Sequence, residues 1–319
     1  MTDRTGYRFL EPTAVARVRN LALAARKVVQ GFIAGLHRSP YRGFSIEFAE
    51  HREYCPGDNL RYLDWKVLAR TDRLYIKLFE EETNMRVQLL LDVSGSMDYS
   101  SEGRLPKVEY AAYLGAVLAY LASRQQDAVG LTVFDHRIRL RMPARSGPRH
   151  IGELLRQLER YCARDRVVTD GRPRRTQIAE SLHKIAFQLK RRSLVVLISD
   201  LMDDAGDQAI SRALYHFKHR QHEVILFHVM DPFEIEFPFR ETALFVDLET
   251  NERLQVDPAY VRAAYLEAVE GFLRYHRDKA RELGADYVLA RTDVPYDVML
   301  ARYLRARRDA LLRGRSRIG

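Results

Sequence analysis

Cysteine is scarce in this chain. Two in 319 residues, Cys55 and Cys162, stand far apart and form no CxxC. That excludes a disulfide-stapled scaffold and a thiolate zinc ribbon, and both are expected as packing residues in a reducing compartment. No run of 18 apolar residues occurs, so no transmembrane helix is expected. The opening MTDRTGYRFLEPTAV lacks the basic-then-apolar layout of a signal peptide, and a cytoplasmic location is the expectation. Lysine is rare too: eight of the 52 basic residues are Lys and 44 are Arg. Zinc-finger spacing, RNA-binding aromatic motifs and a helix-turn-helix pattern are all missing, so nucleic acid is not an expected partner. HExxH and GxxxxGK[ST] are absent as well, which removes the commonest zinc-protease and P-loop chemistries.

What is present is an ordinary soluble composition, 46% hydrophobic and 30% charged, with a net charge of +9. Some of that charge sits in the last residues, ARYLRARRDALLRGRSRIG, which carry seven Arg. Such a tail reads as a solvated helix end, with binding of an anionic surface as the alternative. Residues 12–34 have the spacing of an amphipathic helix, and FSIEF at 44–48 alternates as a half-buried strand does. CPGD at 55–58 marks a turn, and RLYIKLFEEE alternates again. Residues 1–85 are therefore expected to form a helix and a small β subdomain rich in interleaved charges.

From residue 86 the pattern changes. VQLLL is a continuous apolar run, as in a strand buried on both faces. KVEYAAYLGAVLAYLAS at 107–123 is apolar nearly all round and predicts a deeply buried helix. AVGLTVF is a second strand, and RIRLRM follows too closely for a crossover, so it must pair antiparallel at an edge. Helices are expected at about 149–162, 176–190 and 206–220, with strands SLVVLIS and HEVILFHV between and after. A β-hairpin insertion is expected at 231–257, holding FEIEFPF, ALFVDL and RLQVD, with ETNER as a turn. A helix over 258–283, a short strand DYVLA and a terminal helix complete the chain. The fold class is α/β, a doubly wound and mostly parallel sheet with helices on both faces, spanning 86–319.

In such a sheet ligands bind at the carboxyl ends of strands, where strand order reverses. If the order is 3-2-1-4-5-6, the first and fourth strands meet there. The first ends in Asp92 and the fourth in Ser199-Asp200. Thr176 opens the helix before the fourth strand. Asp92, Ser94, Ser96, Thr176 and Asp200 supply two carboxylates and three hydroxyls, a set of hard oxygens suited to Mg²⁺, with Mn²⁺ as an alternative. Gly95 keeps the loop between the serines free of bulk. A phosphatase of the haloacid-dehalogenase type would need an acid where Ser94 stands, and a nucleophile elbow would need Gly where Asp92 stands. The bland alternative is that Asp92 and the serines only cap a helix. His216, His219 and His222 fit a surface helix face better than a metal site.

Asp92-Val-Ser94-Gly-Ser96, Thr176 and Asp200 resemble the metal-ion-dependent adhesion site of von Willebrand factor A domains. The resemblance implies a Mg²⁺-dependent protein-binding domain in which an acidic residue of a partner completes the metal shell. It implies that the serines and Thr176 coordinate directly or nearly so and that the aspartates act partly through water. Met97, Asp98, Leu201 and Asp203, beside the cradle, are expected to border the partner. Arg174 and Arg175 stand where many such domains have Gly-Gly, and Leu201 where Gly often follows the last aspartate. Upstream, GFSIEFAEHREYCPGDNLRYLDWKVLARTDR is similar to bacterial domain-of-unknown-function family fifty-eight, sharing its EFaexRxYxPGDxxRxxDWkxxAR pattern. That similarity implies association with a MoxR-type AAA+ ATPase in a chaperone-like or assembly role. A non-enzymatic protein is expected. The alternative is a Mg²⁺-dependent hydrolase or phosphoryl-transfer enzyme, with Asp98, Asp203 and Asp204 as candidate bases.

Overall fold

The computed structural model describes residues 50–54, 67–68, 70, 73–78, 85–162, 178–190, 192–248 and 252–315. The helix expected at 12–34, the strand at 44–48, the turn at 55–58, and Thr176 lie outside these residues. The chain has two compact units, the smaller spanning residues 34–84. In the smaller one, β1 (Glu50–Glu53) and β2 (Tyr75–Leu78) pair antiparallel, Glu50 opposite Leu78 and Glu53 opposite Tyr75.

The larger unit is a mixed α/β layer structure. Its strands are β3 (Arg86–Asp92), β4 (Ala128–Phe134), β5 (Ile138–Arg145), β6 (Leu194–Ser199), β7 (Glu223–Met230) and, beyond a separate hairpin of β8 (Ala243–Val246) and β9 (Arg253–Val256), β10 (Asp286–Arg291). Its helices are α1 (Lys107–Arg124), α2 (Pro148–Cys162), α3 (Ile178–Gln188), α4 (Asp207–His219), the short α5 (Pro232–Glu236), α6 (Pro258–Leu283) and α7 (Tyr296–Arg315). The sheet runs β10-β7-β6-β3-β4-β5, all parallel except β5. Counted along the sheet strands, this is the order 3-2-1-4-5-6, with RIRLRM as the antiparallel edge the short connection demanded.

Alternation along the buried strands sorts their side chains to two cores. Leu89 and Leu91 of β3 and Val196 and Ile198 of β6 pack with α1, α2 and α7. Leu90, Val195 and Leu197 point the other way, toward α3, α4 and α6. With both faces covered, each such leucine contributes about 1.5–3 kcal/mol of burial, which is why these strands carry unbroken apolar runs. The edge pair is irregular. The β4–β5 register shifts between Val129 and Leu131. At Gly130 an added Cβ would meet Gln88 Oε1 at 2.2 Å and the backbone of Ala144 and Met142 at 2.8 Å, so only glycine lets the strands approach there.

One expected strand is a helix. FEIEFPF does not enter the hairpin; its first half forms α5. Asp231 caps that helix, accepting from Phe233 N at 2.8 Å, and Glu234 returns a bond to Asp231 N at 2.9 Å. Pro232 sits at the first helical position, and Phe237 in a left-handed conformation (φ 44°) ends it. The capping box and the proline override the alternating pattern, which alone spells a strand. The insertion's true strands are β8 and β9, paired antiparallel from Ala243–Val256 to Val246–Arg253.

Candidate functional site

β3 and β6 lie side by side in register, Leu91 opposite Ile198. Strand order reverses between them, and both chains leave the sheet there. Asp92 closes β3, and Asp200 follows β6; both are wholly buried. Their immediate partners are local. Asp92 Oδ1 accepts from Ser94 N at 2.9 Å, and Oδ2 accepts from Ser199 Oγ at 2.6 Å. Ser199 Oγ in turn accepts from Leu201 N at 2.9 Å, so one hydroxyl ties the two strand ends together. Asp200 Oδ1 accepts from Met202 N at 3.1 Å. The hydroxyls of Ser94 and Ser96 lie 3.1 Å apart, at a single 3-10 turn over Gly95–Asp98. Two residues apart, Ser94 just before the turn and Ser96 within it, they hydrogen-bond to each other.

The two carboxylates repel. Burial, then the charge of Asp200, pushes the Asp92 carboxyl up to about 7, against the opposing hydrogen bonds from Ser199 and Ser94. Asp200 is compensated instead. Lys107, the first residue of α1, sends its Nζ to 2.8 Å from Asp200 Oδ2 and 2.6 Å from Glu234 Oε1 of α5. Burial pulls the lysine's proton affinity down, but the two carboxylates more than offset this and hold it at about 12. Behind Asp200, His228 of β7 accepts or donates at both ring nitrogens: Nε2 lies 2.9 Å from Asp200 O and Nδ1 2.8 Å from Tyr287 Oη. A carbonyl can only accept, so Nε2 carries the proton and Tyr287 donates to Nδ1. Burial, then the neighbouring His276, pushes His228 down to about 3 and keeps it neutral.

Another buried aspartate, Asp231, braces the serine-bearing loop. Asp231 Oδ2 accepts from Ser101 N and Ser101 Oγ at 3.0 Å each, and from Thr292 Oγ1 at 3.2 Å. It thereby fastens the loop after β3 to the ends of β7 and β10.

The structure therefore brings Asp92, Ser94, Ser96 and Asp200 together at two adjacent strand ends. It corrects two expectations about the partner surface. Met97 and Leu201 have no exposed side chain, because each is drawn into a core, Met97 with α1 and Leu201 with α3 and α4. Leu201 also holds a left-handed backbone (φ 58°), the conformation that glycine adopts most cheaply. Asp98 is exposed. Asp203 is half-buried and occupied: it accepts from Ala179 N at 2.7 Å, at the start of α3, and from Ala205 N at 2.8 Å. An acid at a helix N-terminus is stabilised there by the unpaired amides.

The donor set passes the test for a hard divalent cation. Asp92 is a carboxyl raised in pKa by its burial and then by a second carboxylate, and the hydroxyls of Ser94 and Ser96 stand beside it. A cation of charge two would relieve that repulsion. Among the described residues no three His, Cys, Asp or Glu side chains gather as a metal-binding group, so a cation held here would need hydroxyls for part of its shell. Lys107, Glu234, Asp231 and Ser199 were not expected in the site. The one signal in the sequence was Lys107 itself, a rare lysine heading a helix otherwise apolar nearly all round.

A model of the family described as "Protein of unknown function DUF58" matches residues 50–271. An uncharacterized protein of Mycobacterium tuberculosis is 26% identical over 309 residues, 95% of this chain and 93% of that one. One from Mycobacterium bovis matches with the same figures, and one from Mycobacterium avium is 27% identical over 55% of this chain and 98% of its own length. Among solved structures, an aerotolerance-related membrane protein from Bacteroides fragilis aligns at 18% identity over 68% of this chain and 96% of that one, with a TM-score of 0.45. BatB from Bacteroides thetaiotaomicron aligns at 18% over 71% and 98%, with a TM-score of 0.44. Among the described residues no helix is long and apolar enough to cross a membrane.

Proposed function

The chain belongs to the DUF58 family, and we propose that it works there as a divalent-cation-dependent protein-interaction module without enzymatic activity. The observation that carries this reading is the pairing of buried Asp92 and Asp200 at adjacent strand ends, with the hydroxyls of Ser94 and Ser96 beside them. Asp92, Ser94, Ser96 and Asp200, joined by Thr176, would hold Mg²⁺ in the manner of a von Willebrand factor A adhesion site. Bound there, the cation would offer an open position to a partner's Asp or Glu. The chain's own groups do the positioning: Ser199 aligns the strand ends, Asp231 fixes the serine loop, and Asp203 fixes the start of α3. The proposed partner is a MoxR-type AAA+ ATPase, in an assembly or chaperone-like role.

The test is capture of a purified MoxR-type ATPase by the full chain, in Mg²⁺ and in EDTA, using wild type and Asp92→Ala. Capture that needs both Mg²⁺ and Asp92 supports the reading. Equal retention under all four conditions rejects the cation-dependent contact.

A further inference from the structure

Lys107 is in an unusual place three times over. Its side chain has no exposed surface, whereas lysine is almost never fully buried. It stands in the first turn of α1, where the helix dipole favours acids and disfavours cations. It is also shared between two carboxylates from distant parts of the chain, Asp200 and, 127 residues away in sequence, Glu234. Neither helix formation nor core packing asks for an ammonium at this point. The acids do.

We propose that Lys107 is a positioning residue that sets the cradle's affinity, its ammonium holding one oxygen of Asp200 against a divalent cation and using Glu234 as its other anchor. This rests on the reading of the cradle as a divalent-cation site. One oxygen of Asp200 meets Met202 N and the other meets Lys107 Nζ, so a cation drawing on Asp200 must share the carboxylate with the ammonium. Like charges a few ångströms apart in a buried site disfavour each other by at least about tenfold in a binding constant. Glu234 works in the opposite direction. It draws the ammonium toward α5, and without it the charge rests on Asp200 alone. The arrangement keeps the metal-free site from collapsing through acid–acid repulsion and keeps a bound cation exchangeable.

The two residues therefore have opposite signs, which a purely structural role would not produce. The experiment uses the full chain, stripped of metal, titrated with Mn²⁺ and followed by the electron paramagnetic resonance of the free ion. Folding of each variant is checked by circular dichroism. Lys107→Gln is expected to bind Mn²⁺ about tenfold more tightly than wild type or better, and Glu234→Gln to bind it several-fold more weakly. Binding by folded Lys107→Gln that equals or falls below wild type overturns the proposal. Where Lys107→Gln does not fold, Glu234→Gln decides: unchanged or tighter Mn²⁺ binding overturns it. If wild type and both variants all fail to bind Mn²⁺ at millimolar concentration, the cation-site reading is itself wrong and the proposal falls with it. If wild type binds and only the signs are wrong, the cation site stands and the role of Lys107 is rejected.

Discussion

The ammonium of Lys107 lies 2.8 Å from Oδ2 of Asp200, and neither side chain has any surface exposed. A buried pair contributes little net stability, because both ions lose their water, but removing one partner strands the other. Lys107→Met is therefore expected to lower the unfolding free energy by about 3–5 kcal/mol in metal-free buffer. Asp200→Asn on that background should recover part of the loss, giving a non-additive double-mutant cycle by urea unfolding. Strict additivity would show that the two groups do not act as a pair.

Asp92 is held in tension for the sake of the site. Asparagine keeps the bond from Ser94 N at its oxygen, but its amide can only donate to Ser199 Oγ, so the Ser199 hydroxyl loses the acceptor it has in wild type. Above pH 7 in EDTA, where folded Asp92 is ionised, Asp92→Asn should melt higher than wild type, because the buried charge and its repulsion from Asp200 cost more than the one lost bond. Wild type should gain melting temperature with Mg²⁺ by mass action, and the variant should not. A variant less stable than wild type in EDTA above pH 7 would contradict the picture.

Two buried groups give the pH dependence opposite slopes. Folded Asp92 keeps its proton up to about pH 7, whereas the unfolded chain releases it near 4, so this group removes stability as pH rises between those values. Folded His228 takes no proton until about pH 3, whereas the unfolded chain takes one near 6.5. Its contribution is complete above pH 6.5 and falls on acidification by up to about 1.4 kcal/mol per pH unit. Relative to wild type, His228→Gln should lose less stability between pH 6.5 and 4, and Asp92→Asn should lose more. Parallel curves for all three proteins in denaturant titrations would refute the assignment.

Gly130 has no room for a methyl group. The nearest obstacles include the backbone of Ala144 and Met142, which cannot rotate aside. Gly130→Ala should cost about 2 kcal/mol or more and disturb the β4–β5 edge, measured by chemical denaturation and by faster amide exchange in β5.

Asp231→Ala removes the acceptor for Ser101 N, Ser101 Oγ, Phe233 N and Thr292 Oγ1 together. Each buried donor left without a partner costs about 1–3 kcal/mol. The expected result is a loss of at least ~3 kcal/mol, with the Ser101 amide passing from slow to fast hydrogen exchange. Retained protection at Ser101 would mean that the loop is held by other contacts.

The sheet and half of the site were legible from the chain alone, for a definite reason. Buried parallel strands must be apolar throughout, so β3, β4, β6 and β7 announce themselves, and the tight connection after β4 allows only an antiparallel edge. Asp92 and Asp200 were found because strand order alone makes their ends neighbours. Lys107, Glu234 and Asp231 were not, because each acquires meaning only through a bond to a residue roughly a hundred positions away. FEIEFPF misled because its alternation is strand-like while its start is a helix cap, and a capping box outweighs three alternating residues. Met97 and Leu201 were placed at the surface by nearness to the motif, yet their apolar side chains follow the ordinary rule and turn inward.

The bond between Ser101 and Asp231 spans 130 residues of chain. During synthesis the amino-terminal part emerges first, and β3, α1 and β4 can pair among themselves early. The loop carrying Ser94 and Ser96 is then held at Val93 by Phe134 O and at Met97 by α1, but its far end around Ser101 lacks its brace. That brace arrives only when β7 has docked and Asp231, just after it, reaches back across the sheet, a contact whose closure entropy makes it late. A chain halted short of residue 231 would hold every letter of the serine motif and still lack the brace at its far end.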